Sequence, residues 1–264
     1  MVDLPDTLSG QLLLGATMMK QALAVAVLRY LLMALPAFVL CYLLAGRVLR
    51  LRPIQPNVPV PTRQILRELA WSLSSCTIFA VMDVAVVLLS VAGVMQARVL
   101  DSTPAWPEFV GTVVALVLVH DTYFYWAHRL MHWRPIYHLA HATHHRSTRP
   151  TPFAAFAFHP VEAVIEYAFV PLIALVAPVH VMPLLVFGLV MTAMNVYAHL
   201  GVELMRRGFA RRSPTRFLLT ATHHDLHHTT PRYDFAFYFN VWDRLMGTLH
   251  PDYEAVLDEV SSRR

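Results

Sequence analysis

Five long apolar stretches constrain this 264-residue chain more than any other feature: Ala22–Ala45, Leu69–Val94, Phe109–Ala127, Val161–Val179 and Val181–Leu200. A membrane-spanning helix needs about 20 mostly apolar residues. The first three stretches meet that length as single crossings. The last two are shorter and divide at Val179–Val181. They form a helical hairpin that either crosses fully or dips in and returns. The chain is 56% hydrophobic and 14% charged, against a soluble norm of roughly 45–50% and about 25%. The expected fold is all-α, a polytopic membrane protein with about four to five transmembrane or re-entrant helices.

The basic residues flank the apolar runs. Lys20 is the only lysine, and the arginines group as Arg47, Arg50, Arg52, Arg63 and Arg67, then Arg129, Arg134, Arg146 and Arg149, then Arg206, Arg207, Arg211, Arg212 and Arg216. This is not a nucleic-acid footprint. The segment from Gln96 to Glu108 carries only Arg98, offset by Asp101. The positive-inside rule then places the three basic segments in the cytoplasm and the N-terminus outside. Cys41 and Cys76 lie in apolar runs and form no CxxC motif or disulfide framework. Asp3 and Asp6 stand where a signal peptide would be basic, so a cleaved leader is not expected. Residues 1–21 read as an interfacial lead-in and 52–61 as an extended, proline-stiffened linker. Thr62–Glu68 could restart a helix at the membrane surface. The organisation expected is 1–119 for N-terminal membrane helices and linker, 120–250 for the region carrying the chemistry, and 251–264 for a tail. A helical cap built from about 125–165 and 200–260 would continue the ends of the membrane helices.

All fifteen histidines lie between His120 and His250. Three boxes stand out: His128 with His132; His141, His144 and His145; and His224, His227 and His228. Residues i, i+3 and i+4 share one helix face, with Cβ atoms about 5–6 Å apart. Imidazoles so spaced can reach one metal ion or two adjacent ones. One HxxxH is weak evidence, but two HxxHH boxes beside an HxxxH are specific. Eight histidines exceed the four ligands of a structural zinc site, which points to two ions. Imidazole suits iron, zinc and copper alike. A lone histidine is more often a hydrogen-bonded structural residue than a ligand, and His120, His138, His180 and His250 read that way. His159, His199 and His223 stay open on spacing alone. By the rule placing arginines inside, every box faces the cytoplasm. Asp121, Glu162, Asp225 and Asp243 are the nearby acids that could accept the second N–H of a metal-bound imidazole.

These motifs resemble the fatty acid hydroxylase and sterol desaturase superfamily. The run Asp121-Thr122-Tyr123-Phe124-Tyr125-Trp126-Ala127-His128-Arg129-Leu130-Met131-His132 is similar to its first box, and His141-Ala-Thr-His144-His145-Arg-Ser to its second. His159-Pro160-Val161-Glu162 is similar to its HPxE element, and Thr222-His223-His224-Asp225-Leu226-His227-His228 to its last box. Asn240-Val241-Trp242-Asp243-Arg244-Leu245-Met246-Gly247-Thr248 is similar to the WDRxxGT signature that follows. The resemblance covers about residues 120–250. It implies a membrane-bound non-haem di-iron oxidoreductase that uses O2 and two external electrons to hydroxylate or desaturate a lipid of sterol or fatty-acyl type. By position, the implied ligands are His128, His132, His141, His144, His145, His199, His224, His227 and His228. Some members carry a histidine four residues before the position of His199. Here that residue is Asn195, so its amide, water, or His159 or His223 would complete the set. No catalytic side chain beyond the metal ligands is implied.

The sequence contains no GxGxxG and no cytochrome or flavin segment. Electrons are therefore expected from a separate ferredoxin or cytochrome b5 type donor with its reductase, and the arginines between Arg206 and Arg216 could dock an acidic one. Phe109, Leu116 and Phe124 could line a lipid path. Two alternatives remain at the level of sequence. One is a histidine-rich membrane metal transporter, which would need ligands along a transmembrane path. The other is a zinc-dependent membrane hydrolase, which would use fewer ligands; no HExxH is present.

Overall fold

The computed structural model describes residues 7–44, 51–99 and 101–263. Asp3, Asp6, Ala45, Arg47 and Arg50, which entered the readings above, lie outside these residues. The described chain is helical apart from one two-stranded pair. Four helices are long and apolar enough to cross a membrane: α1 (Leu8–Phe38, prolonged by a π-helical turn, Val39–Leu43), α2 (Thr62–Val91), α3 (Trp106–Met131) and α7 (Val181–Ala198).

Helix α1 shows how the bundle is built. The Thr7 hydroxyl caps its start by accepting from the Gly10 amide. Ala26, Tyr30 and Ala34, four residues apart, are buried, whereas Leu28, Leu32 and Leu35 are exposed. Small residues and one tyrosine thus face the bundle, and leucines face outward, where lipid replaces water as the apolar medium. Pro36 lacks the N–H that would bond to Leu32, and the π-helical turn begins three residues later. The helix starts at Leu8, so much of the expected lead-in belongs to the first span. A helix does restart at Thr62, and Thr62–Glu68 forms the first turns of α2.

The stretch Val161–Val179 differs most from a simple crossing. It forms two short helices, α5 (Pro160–Tyr167) and α6 (Phe169–Val176). Pro171 cannot donate to the Tyr167 carbonyl, so the helix breaks near Ala168. Pro178 keeps α6 from continuing into α7. Together the pair runs the length of the bundle. At one end Phe158 packs on the ring of His144. At the other, the Gln96 amide donates to the Ala174 carbonyl, the Arg98 amide donates to the Val179 carbonyl, and His180 lies beside the Asp101 carbonyl. The return pass is therefore a broken one that packs on α2 and α3 and exposes Val164, Leu172 and Leu175 on its outer face. Buried Glu162 and Glu166 stand on its inner face.

At the histidine end the chain ties itself together. The segment expected to be an extended, proline-stiffened linker is tied down: β1 (Arg52–Pro53) pairs antiparallel with β2 (Val202–Glu203). Gln55 donates to both Asp225 carboxylate oxygens at 3.0 and 2.9 Å. Arg263, at the end of the C-terminal helix (Tyr253–Ser262), donates to the carbonyls of Pro53 and Ile54. Gly201 adopts φ +67°, and the Tyr42 hydroxyl occupies the space where a side chain would begin. That hydroxyl donates to the Pro150 carbonyl at 2.8 Å. Gly201→Ala is therefore expected to lower stability by about 1–3 kcal/mol through overpacking and backbone strain. Gly15→Ala, inside α1 where an added Cβ meets nothing within 4 Å, is the control and should leave stability unchanged or raise it by up to about 1 kcal/mol. Thermal unfolding of both variants in detergent reads the difference.

Candidate metal centre

The three boxes sit where helices end. His128 lies in the last turn of α3, and His132 caps it. A short helix α4 (Arg134–Tyr137) turns the chain back, so that His141, His144 and His145 follow in tight turns. His199 caps the C-terminus of α7. His224, His227 and His228 lie on α8 (Ala221–Thr229), whose start is held by Thr220 Oγ1, accepting from the His223 amide. The buried Glu203 carboxylate also accepts from the Thr222 amide and hydroxyl at 3.0 and 2.6 Å.

The fold gathers nine histidines in two groups. His128, His132, His141, His145 and His227 form one; His144, His199, His224 and His228 form the other; within each, one ring nitrogen per residue lies within 4.8 Å of the rest. Each HxxHH box is shared between the two. His141 and His145 serve the first group and His144 the second, while His224 and His228 serve the second and His227 the first.

The Nε2 atoms point inward. His128 and His141 face each other at 3.0 Å, His227 faces His132 and His145 at 3.1 Å, and His224 faces His199 at 3.0 Å and His228 at 3.1 Å. The opposite ring nitrogens decide what these contacts are. His128 Nδ1 is 2.9 Å from the Phe235 carbonyl, His227 Nδ1 is 2.6 Å from that of Tyr233, and His199 Nδ1 is 2.7 Å from that of Asn195. A carbonyl only accepts, so these Nδ1 atoms carry the proton and their neutral rings present an Nε2 lone pair. His141 Nδ1 likewise faces Glu162 Oε1 at 2.5 Å. Two lone pairs 3.0 Å apart cannot hydrogen-bond to each other. They suit a cation: an ion with bonds of about 2.1 Å sets neighbouring ligands about 3.0–3.4 Å apart. The donor set, all imidazole, fits divalent first-row metals.

Protons do not serve as that cation. Burial, then repulsion from neighbouring rings, lowers His132 to about 2 and holds His141, His144, His145, His224, His227 and His228 well below the ordinary imidazole value. Burial also lowers His199, to about 4. The rings are neutral at physiological pH and available to a metal.

Of the four acids, Glu162 touches a ring of the two groups. Asp121 Oδ1 instead accepts from the Tyr238 and Phe239 amides. Asp243 accepts from the Phe235 and Ala236 amides and from the Thr248 hydroxyl. Both acids shape the loop that presents the Phe235 carbonyl to His128. Asp225 is occupied by Gln55. His223 joins neither group: its Nε2 lies 3.1 Å from Asp243 and 3.4 Å from Asp234. Burial alone would lower His223, but the two carboxylates outweigh it and raise it. His159 caps α5 through the Val161 amide and stacks near Trp71, outside both groups. The Asn195 side chain borders a small apolar void with Phe158, Phe124 and Glu166. His120 stands among aromatic rings with Nδ1 3.1 Å from the Tyr238 hydroxyl. His180 and His250 meet amides and a carbonyl, and His138 packs on Tyr137. Leu116 and Phe124 are buried in the core, and Phe124 packs on the His128 ring. The main-chain carbonyls of Phe235, Tyr233 and Asn195 had no side-chain signal in the sequence. Glu203 and Asp234 were visible only as acids near the boxes.

Two measurements test this geometry. Removing the acceptor for His141 with Glu162→Ala is expected to weaken metal affinity by about 10–100-fold, read by competition with a chromophoric chelator. Without metal, the unfolded chain takes up protons below its histidine value of about 6.5, while the folded rings stay neutral. Stability of the metal-free protein should therefore fall as pH drops from 7 to 5, seen as a falling unfolding midpoint.

The profile of the fatty acid hydroxylase family matches residues 113–248, just over half of the 264 residues. Lathosterol oxidase of Rattus norvegicus is 28% identical over 191 residues, covering 71% of this chain and 62% of its own. Lathosterol oxidase of Mus musculus is 29% identical over 194 residues, with the same coverage of 71% and 62%. A Delta(7)-sterol 5(6)-desaturase of Aspergillus fumigatus is 26% identical over 210 residues, covering 74% and 65%. The chain thus spans less than two thirds of the length of these curated relatives. No solved structure matches. The four long apolar helices and these relatives mark a multi-pass membrane protein. The matched segment contains all nine of the converging histidines, and the chain belongs to the fatty acid hydroxylase family.

Proposed function

We propose that this protein is a membrane lipid oxidoreductase that holds two iron ions, one in each histidine group, and hydroxylates or desaturates a sterol-type lipid. The observation that carries the reading is the convergence of nine Nε2 atoms in two groups, with the outer nitrogens of His128, His141, His199 and His227 anchored. Its relatives, named as sterol oxidases and desaturases, supply the substrate class. Iron held there would draw on O2, two electrons and two protons to break an unactivated C–H bond, giving either an alcohol and one water or an alkene and two waters.

The chain's own residues do the rest. His128, His141, His199 and His227 are locked in orientation through Nδ1. Asp121 and Asp243 hold the loop that carries the Phe235 carbonyl. Phe124, Phe156, Phe158 and Phe237 line the small void beside the histidines and keep it dry. Glu166, buried in the same wall, is positioned to hold a proton next to the reacting region. Electrons would come from a separate ferredoxin or cytochrome b5 type protein with its reductase. Arg206, Arg207 and Arg212 line a groove at the histidine end that suits an acidic donor. The boxes are assigned to the cytoplasmic side. Arg129, Arg134, Arg146 and Arg149 gather at their end of the bundle, whereas Arg98 at the other end is paired with Asp101 and Glu108.

Anaerobic loading with Fe(II) should give two irons per chain, one for each group, and an iron spectrum that changes on exposure to O2. Both should be lost in the His144→Ala, His227→Ala double variant. Lipid extracts of expressing cells should then contain a sterol with a new hydroxyl or double bond, absent with the variant. Iron that fails to load at that ratio, or that loads equally well into the variant, would overturn the assignment in favour of a zinc enzyme or a metal-handling protein.

A further inference from the structure

An apolar cavity in the bundle lies away from the histidines, between α1, α2, α6 and α7. Its volume is about 270 Å³, and Val25, Val87, Val170, Leu184 and Leu185 form much of its wall. Val25 and Leu185 are half exposed on the lipid-facing side, so the cavity opens sideways to the bilayer. Four polar side chains interrupt the apolar lining: Gln21 and, two turns further along α1, Arg29, with Asp83 from α2 and Tyr167 from α5. The Tyr167 hydroxyl donates to Asp83 Oδ1 at 2.6 Å. Arg29 Nε and Nη2 are buried without a hydrogen-bond partner among the described residues. Its Nη1 fills the space beside Gly188, where a Cβ would lie 2.5 Å away. Helix α7 thus lacks a side chain at the one place where the guanidinium needs room.

A charged side chain with free donors inside a membrane helix is costly and marks a functional site by default. The histidine chemistry makes no use of this one. We infer that Arg29, Asp83 and Tyr167 form a recognition site for the hydroxyl of a neutral lipid alcohol, and that this anchor fixes which part of the lipid reaches the histidines. The second clause rests on the lipid oxidoreductase reading above. A carboxylate, sulfate or phosphate would satisfy Arg29 but would meet the Asp83 carboxylate. An ether or ketone would accept from Arg29 and give nothing to Asp83. A hydroxyl accepts from the one and donates to the other.

Helix α7 connects this anchor to the metal groups. Gly188, Met191, Asn195 and His199 follow at steps of three or four residues and share one face. The 11 residues from Gly188 to His199 span roughly 16 Å of helix axis. Tyr167 and Met191 line both the large cavity and the small void, of about 10 Å³, that reaches Asn195 and Phe158. A lipid anchored at Arg29 therefore extends along α7 toward His199, and Met191, an adaptable side chain, is what it must displace.

Cholesterol, its 3-methyl ether and its 3-sulfate are the probes. Their binding is measured on the iron-loaded full chain in phosphatidylcholine nanodiscs, with iron content determined for every sample. The wild-type protein should bind the alcohol at least about tenfold more tightly than the ether or the sulfate. Arg29→Met should abolish the preference for the alcohol over the ether. Asp83→Asn leaves Arg29 uncompensated and should reverse the order, so that the sulfate binds more tightly than the alcohol. Equal binding of the three probes to the wild type, or an iron-loaded Asp83→Asn variant with the wild-type ranking, would overturn the site. A variant that loads no iron has not folded, and the wild-type ranking then decides. The two readings separate cleanly. The predicted ranking without oxidation of any lipid would leave the alcohol site and remove the activity. Lipid oxidation without the ranking would do the opposite.

Discussion

The structure depends on nine imidazole lone pairs being pushed together in a dry interior. Between His128 and His141 nothing in the protein itself offsets that arrangement, because both rings hold their proton on Nδ1 and the facing Nε2 atoms, 3.0 Å apart, are acceptors on both sides. Every other polar device at this end of the molecule works from behind the rings. Carbonyls from Phe235, Tyr233 and Asn195 and the carboxylate of Glu162 take the Nδ1 protons and so aim the opposite nitrogens inward. Asp121 and Asp243 are removed from the centre by one step, since they hold the loop that supplies one of those carbonyls. His144, His145 and His228 keep buried Nδ1 atoms without a hydrogen-bond partner among the described residues. The second group is therefore less braced than the first, with the Asn195 carbonyl anchoring one of its four rings.

Beneath the centre lies a band of polar contacts that joins membrane helices to the histidine-bearing turns. Tyr30 on α1 and Ser72 on α2 both donate to the Phe153 carbonyl, at 2.9 and 2.7 Å. Thr151 donates to the buried Glu68 carboxylate, which also accepts from Gln64. These bonds fix residues 151–156 as a floor under His144 and His145. In hydrocarbon no water competes for such groups, so each bond must be made within the protein. The apolar helices thus do more than anchor the chain: their inner polar residues set the depth at which the boxes sit.

Much of this was legible from residue spacing, and the rest was not for identifiable reasons. The boxes stood out because i, i+3 and i+4 positions share a helix face, and the nine histidines named from spacing and resemblance are those the fold gathers. Spacing did not reveal that each HxxHH box divides between two groups, because that depends on how α8 and the turn after α4 face each other across the centre. Length and hydropathy identified α1, α2 and α3 as crossings. The same criterion left Val161–Val179 open between a full crossing and a dip, and it gave no sign that the helix breaks near Ala168, ahead of Pro171, with two glutamates facing inward. Asp225 looked like a partner for a ring because it lies between His224 and His227, yet it points to Gln55 on the opposite side of α8. Main-chain acceptors leave no trace in a sequence, so the anchoring of His128, His199 and His227 could only come from coordinates.

The division of the boxes also sets an order in time. Four of the five donors of the first group lie within residues 128–145, whereas three of the four donors of the second lie between His199 and His228. A ribosome therefore delivers most of the first group before α7 has entered the bilayer, and the second group only after the last long helix is made. The two positions are unequal in how they are born: one is a nearly local motif awaiting a single late histidine, the other a long-range assembly that closes once the chain has turned back on itself.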